Sequence, residues 1–172
     1  SLKECRKLQN CGRDLTETVR TLQRAGLEVM GGFIVGFDND PKDIFQRQFE
    51  FIQHSGVVTA MVGLLTALPE TRLYRRLMAE GRIETESTGN NTEAALNFRP
   101  RLGREFLVNG YRELMKELYK PRNYYQRIRT FLENHRPQGP RLPLSRSDFQ
   151  AFLKSLWLLG VWHRGRLAYW RF

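Results

Sequence analysis

The spacing of apolar positions changes part-way along the chain. Asp14-Leu15-Thr16-Glu17 has the form of a capping box, with Asp14 as N-cap and Glu17 reaching back to it. Leu15, Val19 and Leu22 then recur at helical spacing, and Gly26 supplies the stop. Residues 27–36 turn nearly all apolar toward Gly31-Gly32-Phe33-Ile34-Val35-Gly36, the pattern of a strand covered on both faces. Asp40-Pro41 predicts the next helix start, with Asp40 as N-cap, Pro41 in the first turn and Asp43 complementing the dipole. Phe45, Phe49 and Ile52 form its buried stripe. A second strand is expected over residues 57–65 and a third helix over 71–80. The order αβαβα predicts parallel strands joined by helical crossovers. Two such strands do not make a stable buried sheet alone, because both keep an unpaired edge and apolar faces. Either a neighbouring segment supplies further strands, the favoured reading, or the long second half wraps the pair.

After residues 82–100, a polar stretch that reads as a loop or linker, the period stays helical. Leu107, Val108, Tyr111, Leu114, Met115 and Leu118 make one stripe; Tyr124, Tyr125, Ile128, Phe131 and Leu132 make a second after Pro121. A Pro- and Gly-containing break over 136–143 precedes a helix starting near Ser145 or Ser147, with Phe149, Phe152, Leu153, Leu156 and Trp157. The expected fold class is α/β plus α. Residues 1–83 carry the strands, 84–102 link, and 103–172 form an Arg-rich helical domain.

Charge sharpens this division. The 172 residues carry a formal net charge of +10. Basic and acidic residues balance at 12 each over 1–86, whereas 87–172 holds 16 basic and 6 acidic, and 13 of the 16 are Arg. Such asymmetry fits either a polyanionic partner or a solvated helical surface. Apolar residues at 41% and charged residues at 27% exclude wholesale disorder. No run approaches the roughly 18 apolar residues of a membrane span, and no signal peptide is evident. A cytoplasmic location is expected, with peripheral attachment at a membrane as a variant. Cys5 and Cys11 are too widely spaced for the usual metal pair and read as incidental thiols; His54, His135 and His163 share no motif.

Three segments are candidates for chemistry. Glycines at the end of a buried parallel strand, as in Gly32-Phe33-Ile34-Val35-Gly36, let a flat ligand approach the backbone, or else serve tight helix packing. No GxGxxG or P-loop lysine follows. The end of the second strand, from Leu64 through Thr66 and Pro69 to Tyr74, lies on the same rim in a parallel sheet. It reads equally as a plain connection. The tail carries Trp157, Trp162, Tyr169 and Trp170 among Arg164, Arg166 and Arg171. That mixture suits single-stranded nucleic acid, a membrane surface, or a cap packed on its own domain.

The segment from Ser1 through Lys7 to Asn10, together with Gly12-Arg13-Asp14-Leu15, Ala25-Gly26-Leu27 and residues 31–38, resembles the later half of a radical S-adenosylmethionine (SAM) barrel. The similarity is to the cobalamin-binding radical SAM proteins, including the branch with hopanoid methylases. It continues through Phe51-Ile52-Gln53, residues 59–65 and Thr71-Arg72-Leu73-Tyr74. Gly89-Asn90-Asn91-Thr92, Asn97-Phe98, Gly110-Tyr111-Arg112 and Tyr124-Tyr125 resemble the helical domain that ends such proteins. The resemblance fades beyond Pro137.

It implies that the two strands are the fifth and sixth of a six-stranded partial barrel holding SAM and a [4Fe–4S] cluster. Gly32, Ile34 and Gly36 would lie against the adenine, and Leu65 and Thr66 at the ligand-facing end of the sixth strand. Lys7 and Gln9 occupy the segment that often reaches SAM's ribose or carboxylate. The cluster's CxxxCxxC, the first four strands and the cobalamin domain are not in the sequence, and Glu70 stands where relatives often have Gly. The implied chain is the C-terminal portion of a longer enzyme, whose N-terminal barrel and cobalamin domain are its partners. That enzyme would modify or methylate an unreactive carbon of a small molecule or lipid through a 5′-deoxyadenosyl radical. This chain alone is expected to be inactive. The alternatives are a tRNA-modifying radical SAM enzyme that holds RNA on its basic half, and a non-enzymatic adaptor for an acidic partner.

Overall fold

The computed structural model describes residues 12, 14–86, 96–139, 143 and 145–172. It is a mixed α/β chain, mostly helical, built around one two-stranded parallel sheet. Helix α1, Leu15–Arg24, is capped as predicted by Asp14, whose Oδ1 accepts from the amides of Thr16 at 2.9 Å and Glu17 at 3.2 Å. The second half of the capping box does not form. Glu17 pairs instead with Arg24, one of its own helix's cations, at 2.8 Å.

Strand β1 is Gly31–Val35 and β2 is Ala60–Leu64, both shorter than the apolar runs that predict them. They pair in parallel register from Gly31↔Ala60 to Val35↔Leu64, across the crossover helix α2, Ile44–Ser55. Here the expected cap is wrong. Asp40 does not start α2; its Oδ2 turns back and accepts from the amides of Gly36 at 2.8 Å and Phe37 at 3.0 Å. Those two amides leave the strand with no ladder partner, so a nearly buried carboxylate serves them better than a helix end that water can reach. Asp43 takes the N-cap position, without a side-chain bond to the helix.

Gly56 ends α2 in the left-handed conformation, φ 70°. A Cβ built there would sit 2.9 Å from the backbone nitrogen of Phe131, in a later helix. Gly56→Ala is therefore expected to lower the unfolding free energy by about 2–3 kcal/mol, the left-handed penalty plus a clash with rigid backbone. The readout is a lower urea midpoint with an unchanged slope.

Helix α3, Arg72–Ala79, starts at Thr71, whose hydroxyl accepts from the Tyr74 amide at 3.1 Å. Helices α4, Arg104–Tyr119, and α5, Pro121–Asn134, follow the two predicted stripes. Ser145 caps α6, Arg146–Trp157, in a complete capping box with Asp148. A single π turn over Leu158–Trp162 then leads to α7, Arg166–Arg171.

Two apolar clusters join the strands to the later helices. One gathers Ile52, Val57, Ala60 and Val62 with Leu114 and Leu118; the other gathers Leu65, Ala67 and Leu77 with Leu96, Phe98 and Leu107. Leu96 and Phe98 come from the polar stretch between the halves. A bridge between Ile83 and Phe98 and the side chain of Asn97 hold that strap. The Asn97 amide pairs with both backbone groups of Ala67, at 2.9 and 2.8 Å, as a strand would.

Arg127 on α5 is fully buried. It donates to Gln53 Oε1 and the Leu118 carbonyl, each at 3.0 Å, and to the Val58 carbonyl at 3.3 Å. The rings of Tyr119 and Tyr124 flank its guanidinium, with centroids at 5.8 and 5.4 Å. Burial lowers its pKa from the ordinary arginine value, but arginine remains charged. One cation thus pins α5, the end of α4 and the entry to β2.

Candidate functional site

Among the described residues, the helices packed on the strand pair meet it through one side. Phe33, Val35, Ala60 and Val62 point into them, and the alternate positions point the other way. Those are Gly32 and Ile34 on β1, opposite Met61 and Gly63 on β2. Ile34 is 48% exposed and Met61 59%. A Cβ built at Gly32 or at Gly63 meets nothing within 4 Å. Glycine at these two positions is thus not imposed by tight helix packing. It leaves bare backbone facing open space, next to two uncovered apolar side chains.

Gly36 behaves differently. It sits at φ 116°, where the chain leaves β1, and a Cβ there would approach Leu65 Cβ at 3.3 Å. Leu65 extends the ladder by donating its amide to the Val35 carbonyl at 2.8 Å, but its side chain is buried in the second cluster. Thr66 is half-buried and lines a cleft of about 710 Å³ with Ile34, Met61 and Gly63, closed on the β2 edge by Tyr111 and Met115 of α4. Ile34, Leu65 and Thr66 therefore border one space, whereas Gly32 and Gly36 are not among its lining residues. Lys7 and Gln9 lie outside the described residues, as do Cys5 and Cys11.

The loop after β1 is braced by Asp38. Its side chain is only 6% exposed and receives two bonds from Arg82, at 2.7 and 2.9 Å, and one from Arg76 at 3.1 Å. Arg82 also donates to Glu80 at 2.8 Å and, through Nε, to the Arg99 carbonyl at 2.8 Å. The hydrogen bond from Arg82 holds the Asp38 carboxyl below the usual carboxylate range, and Asp38 in turn raises the Arg82 pKa. This clamp ties the loop after β1 to the end of α3 and to the strap.

Sequence reading missed Met61 and Gly63, although parallel register with the Gly-x-Ile-x-Gly run places them on its face. It also missed Asp40, Asp38 and Asn97, whose partners are backbone groups or distant arginines that no local pattern marks. Glu70 was noted as a departure, and it sits at φ 63°, the left-handed region that favours glycine. Among the described residues no group of three His, Cys, Asp or Glu is placed to hold a metal ion, and no helix is long and apolar enough to cross a membrane.

Comparison with known proteins gives the context for this face. No solved structure matches the chain. It is 35% identical to the uncharacterized methyltransferase sll1242 of Synechocystis, over 99% of this chain and 32% of that protein. It is 28% identical to the hopanoid C-2 methylase of Rhodopseudomonas palustris, over 100% of this chain and 33% of that one. The bacteriochlorophyllide d C-12(1)-methyltransferase of Chlorobaculum tepidum is 28% identical over 69% of this chain and 26% of its own. The chain thus spans about a third of the length of the curated relatives it matches. Residues 71–172, which include α3 through α7, match the family described as a domain of unknown function, DUF4070. With that match and these methylase relatives, the chain belongs to the DUF4070 family, the C-terminal domain of cobalamin radical SAM methylases.

Proposed function

We propose that the chain is the C-terminal part of a radical SAM methyltransferase, and that its uncovered strand face receives the adenosyl half of SAM. The observation that carries this is the face itself: two glycines with open space above their backbone, flanked by Ile34 and Met61. The group fits these residues, because an adenine ring is flat and stacks on bare backbone and aliphatic side chains. Gly32, Ile34 and Gly63 would hold it, with Thr66 at the mouth of the cleft. β1 and β2 are then the fifth and sixth strands of a partial barrel, and the free edge of β1 accepts the fourth.

A [4Fe–4S] cluster would supply the electron for cleavage of SAM. The sequence holds no CxxxCxxC, so the cluster's cysteines, and with them the cobalamin site, are assigned to other parts of the longer enzyme. The chain's own share is to place the adenosyl group and exclude water from it, through the apolar face and the α4 side of the cleft. Two of the relatives are named for methylating a hopanoid and a bacteriochlorophyllide. The substrate class proposed here is correspondingly a small molecule or lipid bearing an unreactive carbon. Neither RNA modification nor an adaptor role gains a specific observation.

Given SAM and a reductant, this chain alone is expected to produce no 5′-deoxyadenosine above a protein-free blank, measured by chromatography. Product above the blank would overturn the division of labour. The coding sequence ahead of Ser1 tests the assignment itself. An in-frame CxxxCxxC supports it, and a stop codon with a start site adjoining Ser1 removes it.

A further inference from the structure

The surface of the helical side, away from the proposed site, has its own chemistry. α7 packs on α5, α5 on α2 and α2 on β1, so the α6–α7 hairpin stands on the helical side, away from the uncovered strands. It is well built. Tyr125 of α5 meets Tyr169 edge-on at 5.9 Å and stacks on Phe172 at 5.5 Å, and Trp170 Nε1 donates to the Gly160 carbonyl at 2.8 Å. Its outer side is nevertheless apolar. Phe149, Phe152, Leu153 and Trp157 fall on one stripe of α6 and are 48–60% exposed. The apolar surface continues through Leu158 and Val161 to Trp162, which is 79% exposed, and Leu167, at 68%.

The same element is strongly basic. From Ser145 onward it carries Arg146, Lys154, Arg164, Arg166 and Arg171 against Asp148 alone, and that carboxylate is occupied by the capping box. Beside it, between α5 and α7, a cleft of about 530 Å³ is lined by Arg122, Arg129, Arg164 and Arg171. None of the four has a hydrogen-bond or ion-pair partner among the described residues. Leu167 lines this cleft too, so the arginines and the apolar surface are continuous.

We propose that the hairpin docks on an anionic phospholipid bilayer, with the apolar stripe of α6 in the boundary between headgroups and acyl chains and the arginine cleft against lipid phosphates. An in-plane amphipathic helix with Trp at the boundary and cations beside it has this composition. A nucleic acid would use the arginines and the aromatic rings, but Leu153, Leu158, Val161 and Leu167 offer no π face for a base. Burial of those aliphatic side chains favours lipid.

The chain contains three tryptophans, Trp157, Trp162 and Trp170, all in this hairpin, so its tryptophan fluorescence reports on nothing else. The chain is mixed with vesicles of phosphatidylcholine alone, or doped with phosphatidylglycerol. Co-sedimentation, a blue-shifted emission and quenching by brominated acyl chains are expected with the anionic vesicles. Phe152→Ser/Leu153→Ser keeps every tryptophan, alters only exposed positions, and is expected to weaken partitioning about tenfold or more. Arg122→Gln/Arg129→Gln is expected to do the same at low salt. Absence of vesicle binding, or binding with unshifted emission, overturns the proposal. So does a lipid-free dimer that buries the tryptophans, or preferential binding of a single-stranded oligonucleotide that Phe152→Ser/Leu153→Ser leaves unchanged.

Discussion

Asp38→Asn is expected to destabilise the chain by about 3–5 kcal/mol, although the new side chain has the same shape. The aspartate is nearly buried and faces Arg82 in a two-bond geometry, with Arg76 as a third donor. Removing its charge leaves the 13%-exposed guanidinium of Arg82 with Glu80 as its only other ion-pair partner among the described residues. An amide accepts at one atom and presents NH₂ at the other, so one of the two Arg82 bonds becomes a clash of donors. Arg76 and Arg101 are exposed enough for water to screen them, and they contribute little. The pH dependence follows from the same pair. A carboxyl whose pKa is lower folded than unfolded contributes stability that is present above the unfolded value, near 4, and lost as pH falls through the folded one. Acid titration of the native chain should therefore show an unfolding component below about pH 4 that Asp38→Asn lacks. Circular dichroism across that range decides it. Equal acid sensitivity in both proteins would remove Asp38 from the account.

The second large effect concerns ligand, not stability. Gly32→Val should reduce SAM affinity about 100-fold or more, because a branched side chain would occupy the plane proposed for the adenine. Stability should stay within about 0.5 kcal/mol or rise, since valine suits a strand and its Cβ meets nothing within 4 Å. The two readouts move independently, which separates occlusion of a binding face from damage to the fold. Equilibrium dialysis with SAM, on the chain and on the longer enzyme proposed here, supplies the first; urea denaturation supplies the second. Unchanged affinity in the longer enzyme would place the adenosyl group elsewhere.

Local order was legible in the residues. Helix starts at Asp14 and Ser145, the crossover helix between two parallel strands, and the stripes of α4 and α5 all follow from spacing and capping chemistry. The apolar positions on both faces of the two strands were legible too, and in the structure Ile34 and Met61 are about half exposed. What escaped was every polar group whose partner is remote. Asp40 beside Pro41 has the form of an N-cap, and only the folded chain shows two strand-end amides that claim it. Asn97 sits between Leu96 and Phe98 in a stretch that reads as a linker, yet it stands in for a strand beside Ala67. Arg127 belongs to a helix of many arginines, and one-dimensional charge counting assigns it to solvent. The site divides in the same way. The glycines of β1 are visible as a motif, whereas Met61 and Gly63 become part of the face only once the register is known.

The arrangement of the first apolar cluster has a consequence for how the chain is made. Val62 is buried against Leu114 and Leu118, which leave the ribosome about 50 residues after it. At synthesis rates of about 5–20 residues per second, β2 waits about 3–10 s for the helix that covers its inner side. Throughout that interval only the part of the inner side that α2 reaches, through Ile52, is covered. The nascent chain thus carries a sticky segment for seconds, and α4 completes its cover.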